Sequence, residues 1–461
     1  MGQLIGRWIR GATLAPLALL TAGMAFAQED DVAARLAALE EAVSGSASAY
    51  VDNSYLFLIG GIIVMFMAAG FCMLEAGLVR SKNAAMQTTK NVTLFSVAGL
   101  MFWLVGYNMA YPAETALMGL LGTTPGPWSG GDLSLESEDG YAPASDWFFQ
   151  MVFVATAASI VSGTVAERVK LWPFLIFTAV LTAFIYPIVA SWEWGGGYLD
   201  SAWGFSDFAG STLVHSTGGW AALTGAIIIG ARKGKYFGKS VNPMPGSNIP
   251  LAALGTFILW FGWFGFNGAS QLAAGTAADI NAVAQIFANT NMAAVGGVLA
   301  AMVTTAIIYK GKIDATMIFN GAIGGLVSIT AEPLAPSMGM SVLIGAVGGV
   351  LVVLSVPLLD KFKIDDVVGA IPAHLVCGIW GTMIVPLSYT GAITPNEAGD
   401  PSYLGQLIGV LLTGVFVVIA SSIIWFALKF TIGVRPSEED EEMGLDRAEI
   451  GLEAYPEFSN R

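Results

Sequence analysis

The chain has 461 residues, 55% of them hydrophobic and only 12% charged, with a mean hydropathy of +0.67 and a formal net charge of −14. A soluble domain needs roughly 25% charged residues to cover its surface, so half that proportion over so long a chain excludes water as its main solvent and implies a lipid bilayer. The acids gather in loops and tails and no basic patch forms, so nucleic acid is excluded as a partner.

In chain order, Arg7 and Arg10 precede an apolar stretch over residues 14–24 that is too short to span, followed by Ala25-Phe26-Ala27. That pattern predicts a signal peptide over 1–27. In the short segment 28–50, Val32, Leu36, Leu39 and Val43 recur at helical spacing and predict one brief amphipathic helix.

A membrane domain follows over 51–432. A span needs about 20 apolar residues, and eleven stretches qualify or come close: 54–79, 92–111, 147–166, 171–192, 210–231, 249–267, 287–309, 315–331, 338–359, 367–387 and 403–428. The basic residues test their order. Arg80, Lys82 and Lys90 follow the first span, Arg168 and Lys170 the third, and Arg232, Lys233, Lys235 and Lys239 the fifth. Lys310 and Lys312 follow the seventh, Lys361 and Lys363 the ninth, and Lys429, Arg435, Arg447 and Arg461 the eleventh. The alternate loops have none; the long one after the second span carries only acids, Glu114, Asp132, Glu136, Glu138 and Asp139. Dropping one span would scramble this alternation. The fold class is therefore an all-α polytopic membrane protein of eleven transmembrane helices, N-terminus outside and C-terminus inside. The tail is 433–461. Small-residue spacings such as Gly321/Gly325 and Gly345/Gly349 predict close helix packing. Cys72 and Cys377 read as small buried residues.

The chain has two histidines, His215 and His374, each inside a span. Ionisable groups in a bilayer are costly and default to function. His215 lies eight residues after Asp207 and His374 eight after Asp366, in spans entered from opposite faces. At 1.5 Å per residue each sits roughly 12 Å deep. Gly219 and Gly378 each follow four residues later. A five-span offset reverses orientation, so spans one to five and six to ten read as inverted repeats with the eleventh added, and the working site at their interface. A neutral imidazole has one donor and one acceptor nitrogen, so a facing pair can bond to itself and still meet a small polar solute or a proton. With no Asp or Glu at ligand spacing, and only Cys377 near His374, no metal is expected. No cofactor and no catalytic nucleophile are expected either. Glu75, near the inner end of the first span, reads as a paired or snorkelling acid.

The motifs Asp207-Phe-Ala-Gly-Ser-Thr-Leu-Val-His215, Trp263-Phe-Gly-Phe266-Asn-Gly-Ala-Ser270, Ala166-Glu167-Arg168 and Asp366-Val-Val-Gly-Ala-Ile-Pro-Ala-His374-Leu-Val-Cys-Gly resemble the ammonium transporter family (Amt/Mep/Rh), over nearly the whole chain from about residue 52 to 455. The resemblance implies a homotrimer in the bacterial inner membrane, with one ammonium- or ammonia-conducting pore per subunit. His215 and His374 would match its twin pore histidines, Phe153 and Phe266 its stacked gate, and Phe149, Trp194 and Ser270 its outer ammonium site. Asp207 would support that site, capping its helix, and Thr330 would line the outer half. The acidic tail at Glu438-Glu-Asp-Glu-Glu442 would meet a PII-type regulatory protein on the cytoplasmic face. Two departures stand out: Pro372 is expected to kink the tenth span, and Leu74-Glu75-Ala76-Gly77 replaces a tyrosine-rich run found in some members. Two rival classes are an ammonium sensor, which would usually append a signalling domain, and an ion-coupled carrier of larger solutes, which would need charged midplane contacts.

Overall fold

The computed structural model describes residues 46–458, apart from 113–114, 117–118, 123–125, 132–139 and 395–399. The signal peptide, the amphipathic spacing of 28–45 and the acids of the long loop named above lie outside the described residues. The chain is an all-α membrane protein. Its helices are α1 (Ser46–Leu78), α2 (Ser81–Ala110), α3 (Pro143–Thr164), α4 (Leu171–Ser191), α5 (Ser211–Ile229), α6 (Ile249–Ala269), α7 (Ala277–Ile308), α8 (Ala315–Ile329), α9 (Met338–Lys361), α10 (Ile371–Ser388) and α11 (Tyr403–Thr431). Two short hairpins, Thr115–Ala116 with Leu121–Gly122 and Tyr236–Phe237 with Ser240–Val241, lie in loops.

Among the described residues ten of these helices are long and apolar enough to cross a membrane; α8, at 15 residues, is not. Its length is roughly 22 Å, against a hydrocarbon core of about 30 Å. Asp314 starts α8 by accepting the Thr316 and Met317 N–H groups, and from Asn320 onward every α8 residue is buried. A helix wrapped by protein need not match the bilayer in length.

Helix starts carry their own signals. Asn248, Ser337 and Ser402 cap α6, α9 and α11, and Thr276 with Asp279 forms a capping box on α7. Packing follows the five-helix offset, α1 against α6 and α5 against α10. Glycines allow these approaches: a Cβ on Gly255 would stand 2.2 Å from the Leu74 nitrogen, and one on Gly345 would stand 1.9 Å from the Ala293 carbonyl oxygen.

The loops after α1, α3, α5 and α9 meet at one end in an ion network. Glu167 Oε1 accepts the Arg80 N–H at 2.9 Å and Arg232 Nη1 at 3.0 Å, and both Asp365 oxygens accept from Arg232 at 2.9 Å. Arg168, fully buried, donates to the Gly230 and Thr164 carbonyls. The tail docks on this same basic end: Asp446 accepts from the Ala85 and Met86 N–H groups, Leu445 N–H donates to Asn83, and Arg435 pairs with Glu441. Burial raises the Asp365 carboxyl, but Arg168 and the hydrogen-bonded Arg232 outweigh it and hold the group well below the usual carboxylate range. The stability this contributes is present above about pH 4, the unfolded value, and is lost as pH falls toward the lower folded value. Asp365→Ala leaves a buried guanidinium short of its partner and is expected to cost about 3–5 kcal/mol, read as a lowered melting midpoint of the detergent-solubilised protein.

Two sequence expectations change here and one, for Glu75, narrows to its paired alternative. Lys90 is not a loop residue; it is 1% exposed inside α2, where its Nζ donates to the Ser162 carbonyl at 2.8 Å and lies 4.9 Å from the Phe174 ring centroid. Glu75 does not snorkel, because Gln87, Asn91 and Ser162 hold it inside the protein. Pro372 breaks no mid-helix bond, since it occupies the first turn of α10, where an N–H has no intrahelical partner to lose.

Candidate functional site

Both histidines sit on π-helical turns, at Ser211–Ser216 in α5 and Ile371–Val376 in α10. Each turn is opened by the same device. Asp207 Oδ1 accepts the Gly210 and Ser211 N–H groups at 3.1 and 2.7 Å, and Oδ2 those of Thr212 and Leu213 at 2.7 and 2.8 Å. One fully buried carboxylate thus satisfies four donors at the α5 start that the helix itself leaves orphaned. Asp366 accepts the Ile371 N–H at 2.7 Å and the Thr164 hydroxyl at 3.0 Å. Three residues after each acid a glycine turns the chain through positive φ, 107° at Gly210 and 78° at Gly369. Side chains rarely adopt that region, which is why glycine stands at both positions.

The two π-turns bring the imidazoles together. His374 Nδ1 lies 3.2 Å from His215 Nδ1, with ring centroids 5.2 Å apart, and the rings are 2% and 0% exposed. A Cβ on Gly219 would stand 2.9 Å from the Leu375 backbone, and one on Gly378 would stand 2.4 Å from the Ser211 carbonyl oxygen. These glycines set how closely α5 and α10 approach.

The Nδ1–Nδ1 bond has a chemical consequence. With one proton shared there, a neutral pair presents one Nε2 as donor and the other as acceptor. A small polar solute that both donates and accepts would match such a pair, and reversing both tautomers would pass a proton through it. His215 Nε2 is buried without a protein partner.

An aromatic column leads to the pair. Phe153 and Phe266 stack at 3.9 Å with a 16° interplanar angle, and Phe266 lies 5.2 Å from His215. On the far side, Phe153 is met edge-on by Phe149 at 4.7 Å and by Trp194 at 6.1 Å. Trp194 Nε1 donates to the Asp207 carbonyl at 3.1 Å, which ties the indole to the α5 start. Ser270, half-buried one turn beyond Phe266, donates to the Phe266 carbonyl at 2.7 Å and keeps its oxygen as an acceptor. The Thr330 hydroxyl accepts Trp263 Nε1 at 2.8 Å and donates to the Leu326 carbonyl. Trp263 in turn stacks on His215 with ring centroids 5.1 Å apart.

Sequence reasoning missed Trp263, Phe57 and Phe71 as parts of this column. Phe57 packs 5.4 Å from Phe149 and Phe71 lies 5.8 Å from His374, on the two ends of α1. An aromatic on an apolar helix carries no signal of its own. Among the described residues no group of three or more His, Cys, Asp or Glu could hold a metal ion.

The comparisons with known proteins agree with this architecture. The sequence profile of the Ammonium Transporter Family matches residues 55–455. Ammonium transporter Amt2 of Archaeoglobus fulgidus is 42% identical over 425 residues, 87% of each chain. Ammonium transporter Amt1 of Haloferax mediterranei is 37% identical, covering 88% of this chain and 80% of that one. Among solved structures, one described as a sensor Amt protein superposes with a TM-score of 0.79 at 34% identity, covering 87% of this chain and 98% of its own. Mep2 of Candida albicans gives 0.73 at 26% identity, covering 89% and 92%. The chain belongs to the ammonium transporter family.

Proposed function

We propose that this ammonium transporter works as a deprotonating pore. Ammonium is held at the outer end by Phe149, Trp194 and the Ser270 oxygen, gives up a proton, and continues as ammonia past Phe153 and Phe266 to His215 and His374. The observation that carries this reading is the continuous column from Phe149 through the stacked phenylalanines to the Nδ1-bonded imidazoles. A desolvated cation gains about 0.5–2 kcal/mol per aromatic face, enough to concentrate ammonium yet weak enough to release it. Carrying the bare ion through the low-dielectric centre would cost several kcal/mol, whereas ammonia carries no such penalty. Phe153 and Phe266, in van der Waals contact, close the column to water and hydrated ions and must part for each passage.

In the same reading the chain works as a homotrimer in the bacterial inner membrane, with the signal peptide 1–27 removed and segment 28–50 periplasmic. Membrane domain 51–432 places its basic end in the cytoplasm. Tail 433–461, docked there through Asp446, offers its acidic run to a PII-type partner.

An ammonium jump on proteoliposomes containing the purified protein tests the pore. Internal pH is expected to rise faster than in protein-free vesicles, with Phe153→Ala/Phe266→Ala admitting water and lowering selectivity against potassium. If the wild-type protein evokes neither a pH change nor a current, the reading is wrong and a sensor role takes its place.

A further inference from the structure

We propose that Glu193 sets the affinity of the outer site for ammonium: its carboxylate, fixed to the same residue as the Trp194 indole, supplies the negative charge that draws the cation in. This rests on the pore reading above.

Residues 193 and 194 follow α4, and both close onto Asp207. Glu193 Oε1 accepts the Asp207 N–H at 2.7 Å, and Trp194 Nε1 donates to the Asp207 carbonyl at 3.1 Å. The amide nitrogen and carbonyl oxygen of one residue lie roughly 3 Å apart. The carboxylate and the indole nitrogen therefore stand within about 10 Å of each other. The segment between them is held from both sides. Gln406 on α11 accepts the Ser206 N–H at 2.9 Å and donates to the Ser206 carbonyl at 2.6 Å. The Ala331 and Thr330 carbonyls accept the Phe208 and Ala209 N–H groups at 2.9 and 3.1 Å.

The two oxygens of Glu193 differ. Oε1 is occupied by Asp207, whereas Oε2 is buried with no protein partner. A prop for the Asp207 backbone needs one acceptor, which an amide would supply without a charge. A carboxylate there adds a desolvated charge that propping does not require.

Nothing nearby neutralises it. Between Lys170 and Arg232 the chain has three acids, Glu193, Asp200 and Asp207, and no basic residue. The Asp207 carboxylate is taken by its four N–H groups. Glu332, next to the Ala331 carbonyl, is taken by the Leu334 and Ala335 N–H groups and the Tyr389 hydroxyl. Glu193 is left with one oxygen and a charge to offer a cation. Across about 10 Å, at an effective dielectric of about 20, one unit charge changes the occupancy of a cation site roughly tenfold. Burial, then the charges of Asp207 and Asp200, outweigh the Asp207 N–H and raise the Glu193 carboxyl well above the usual carboxylate range. Acidification therefore protonates it and removes the charge, so ammonium is held more weakly as pH falls.

The test measures the initial rate of internal alkalinisation against ammonium concentration in proteoliposomes, corrected for protein-free vesicles, from mildly acid to neutral pH. Glu193→Gln keeps an oxygen for the Asp207 N–H and loses the charge. It is expected to raise the half-saturating ammonium concentration about tenfold at neutral pH, while the maximal rate falls far less and the melting midpoint holds. In the wild type that concentration is expected to rise as pH is lowered, and in Glu193→Gln to stay flat. Should the glutamine variant melt early, Glu193→Asp keeps the charge while giving up the Asp207 bond, and is expected to retain the wild-type pH dependence. Wild-type half-saturation at every pH in a folded Glu193→Gln would overturn the proposal and leave the pore reading intact. So would a Glu193→Asp that raises half-saturation as far as glutamine does and loses the pH dependence. No ammonium response in the wild type would remove both.

Discussion

Asp207→Ala is expected to abolish ammonium flux and to lower the melting midpoint by many degrees. The substitution strands four buried N–H groups, those of Gly210, Ser211, Thr212 and Leu213, that one carboxylate now satisfies. Each orphaned donor costs about 1–3 kcal/mol, and the turn they form fixes where His215 projects. Asp207 also donates its own backbone N–H to Glu193 and accepts Trp194 through its carbonyl, so the outer end of the column shifts with it. Asp207→Asn is not a rescue. An amide oxygen can serve one pair of these N–H groups, but its NH₂ would face the other pair, donor to donor. Flux in proteoliposomes and a thermal melt read the two consequences separately, and the asparagine variant is expected to fall between wild type and alanine in stability while losing flux at least tenfold.

The second large effect is expected at Gly219. Its place against α10 leaves no room for a methyl group: a Cβ would stand 2.6 Å from Leu375 Cβ and 2.9 Å from the Leu375 backbone. Something must move, and what Gly219 presses on is the π-turn that carries His374. Gly219→Ala is expected to cost about 1–3 kcal/mol through overpacking. Separating the turns by even a fraction of an ångström also lengthens the 3.2 Å Nδ1–Nδ1 contact out of hydrogen-bonding range. Flux is expected to fall tenfold or more in protein that still elutes as a folded species. Gly378→Ala presses on the Ser211 carbonyl from the opposite helix and is expected to do the same. Unchanged flux in both variants would mean that the imidazole contact is incidental.

Much of the fold was readable because lipid is an unforgiving solvent. Charges cannot rest in hydrocarbon, so the alternation of basic loops located the spans, and the network joining Arg80, Glu167, Arg232 and Asp365 brings the loops after α1, α3, α5 and α9 to one end, as that alternation requires. The shared eight-residue interval from Asp207 to His215 and from Asp366 to His374 put the two rings at one depth, and the structure brings them within hydrogen-bonding distance. What escaped the sequence has physical reasons. Composition cannot distinguish Lys90, folded inside α2 over Phe174, from its basic loop neighbours. The π-turns depend on side-chain closures, such as Ser216 Oγ to the Ser211 carbonyl and Thr217 Oγ1 to the Thr212 carbonyl, that no periodicity reports. The shortness of α8 follows from its burial by neighbours, which local hydropathy does not record. Phe71 is one apolar residue among many on α1 and gains meaning only from His374 beside it.

The most direct trial of the account replaces both rings with side chains of similar bulk that can neither donate nor accept. His215→Leu/His374→Leu keeps the passage filled while removing every polar group from its centre. Ammonium-driven flux in proteoliposomes, compared at equal incorporation and equal melting behaviour, is predicted to drop at least tenfold, which corresponds to about 1.4 kcal/mol of lost stabilisation. Flux equal to the wild type in that double variant would contradict a route through the imidazoles.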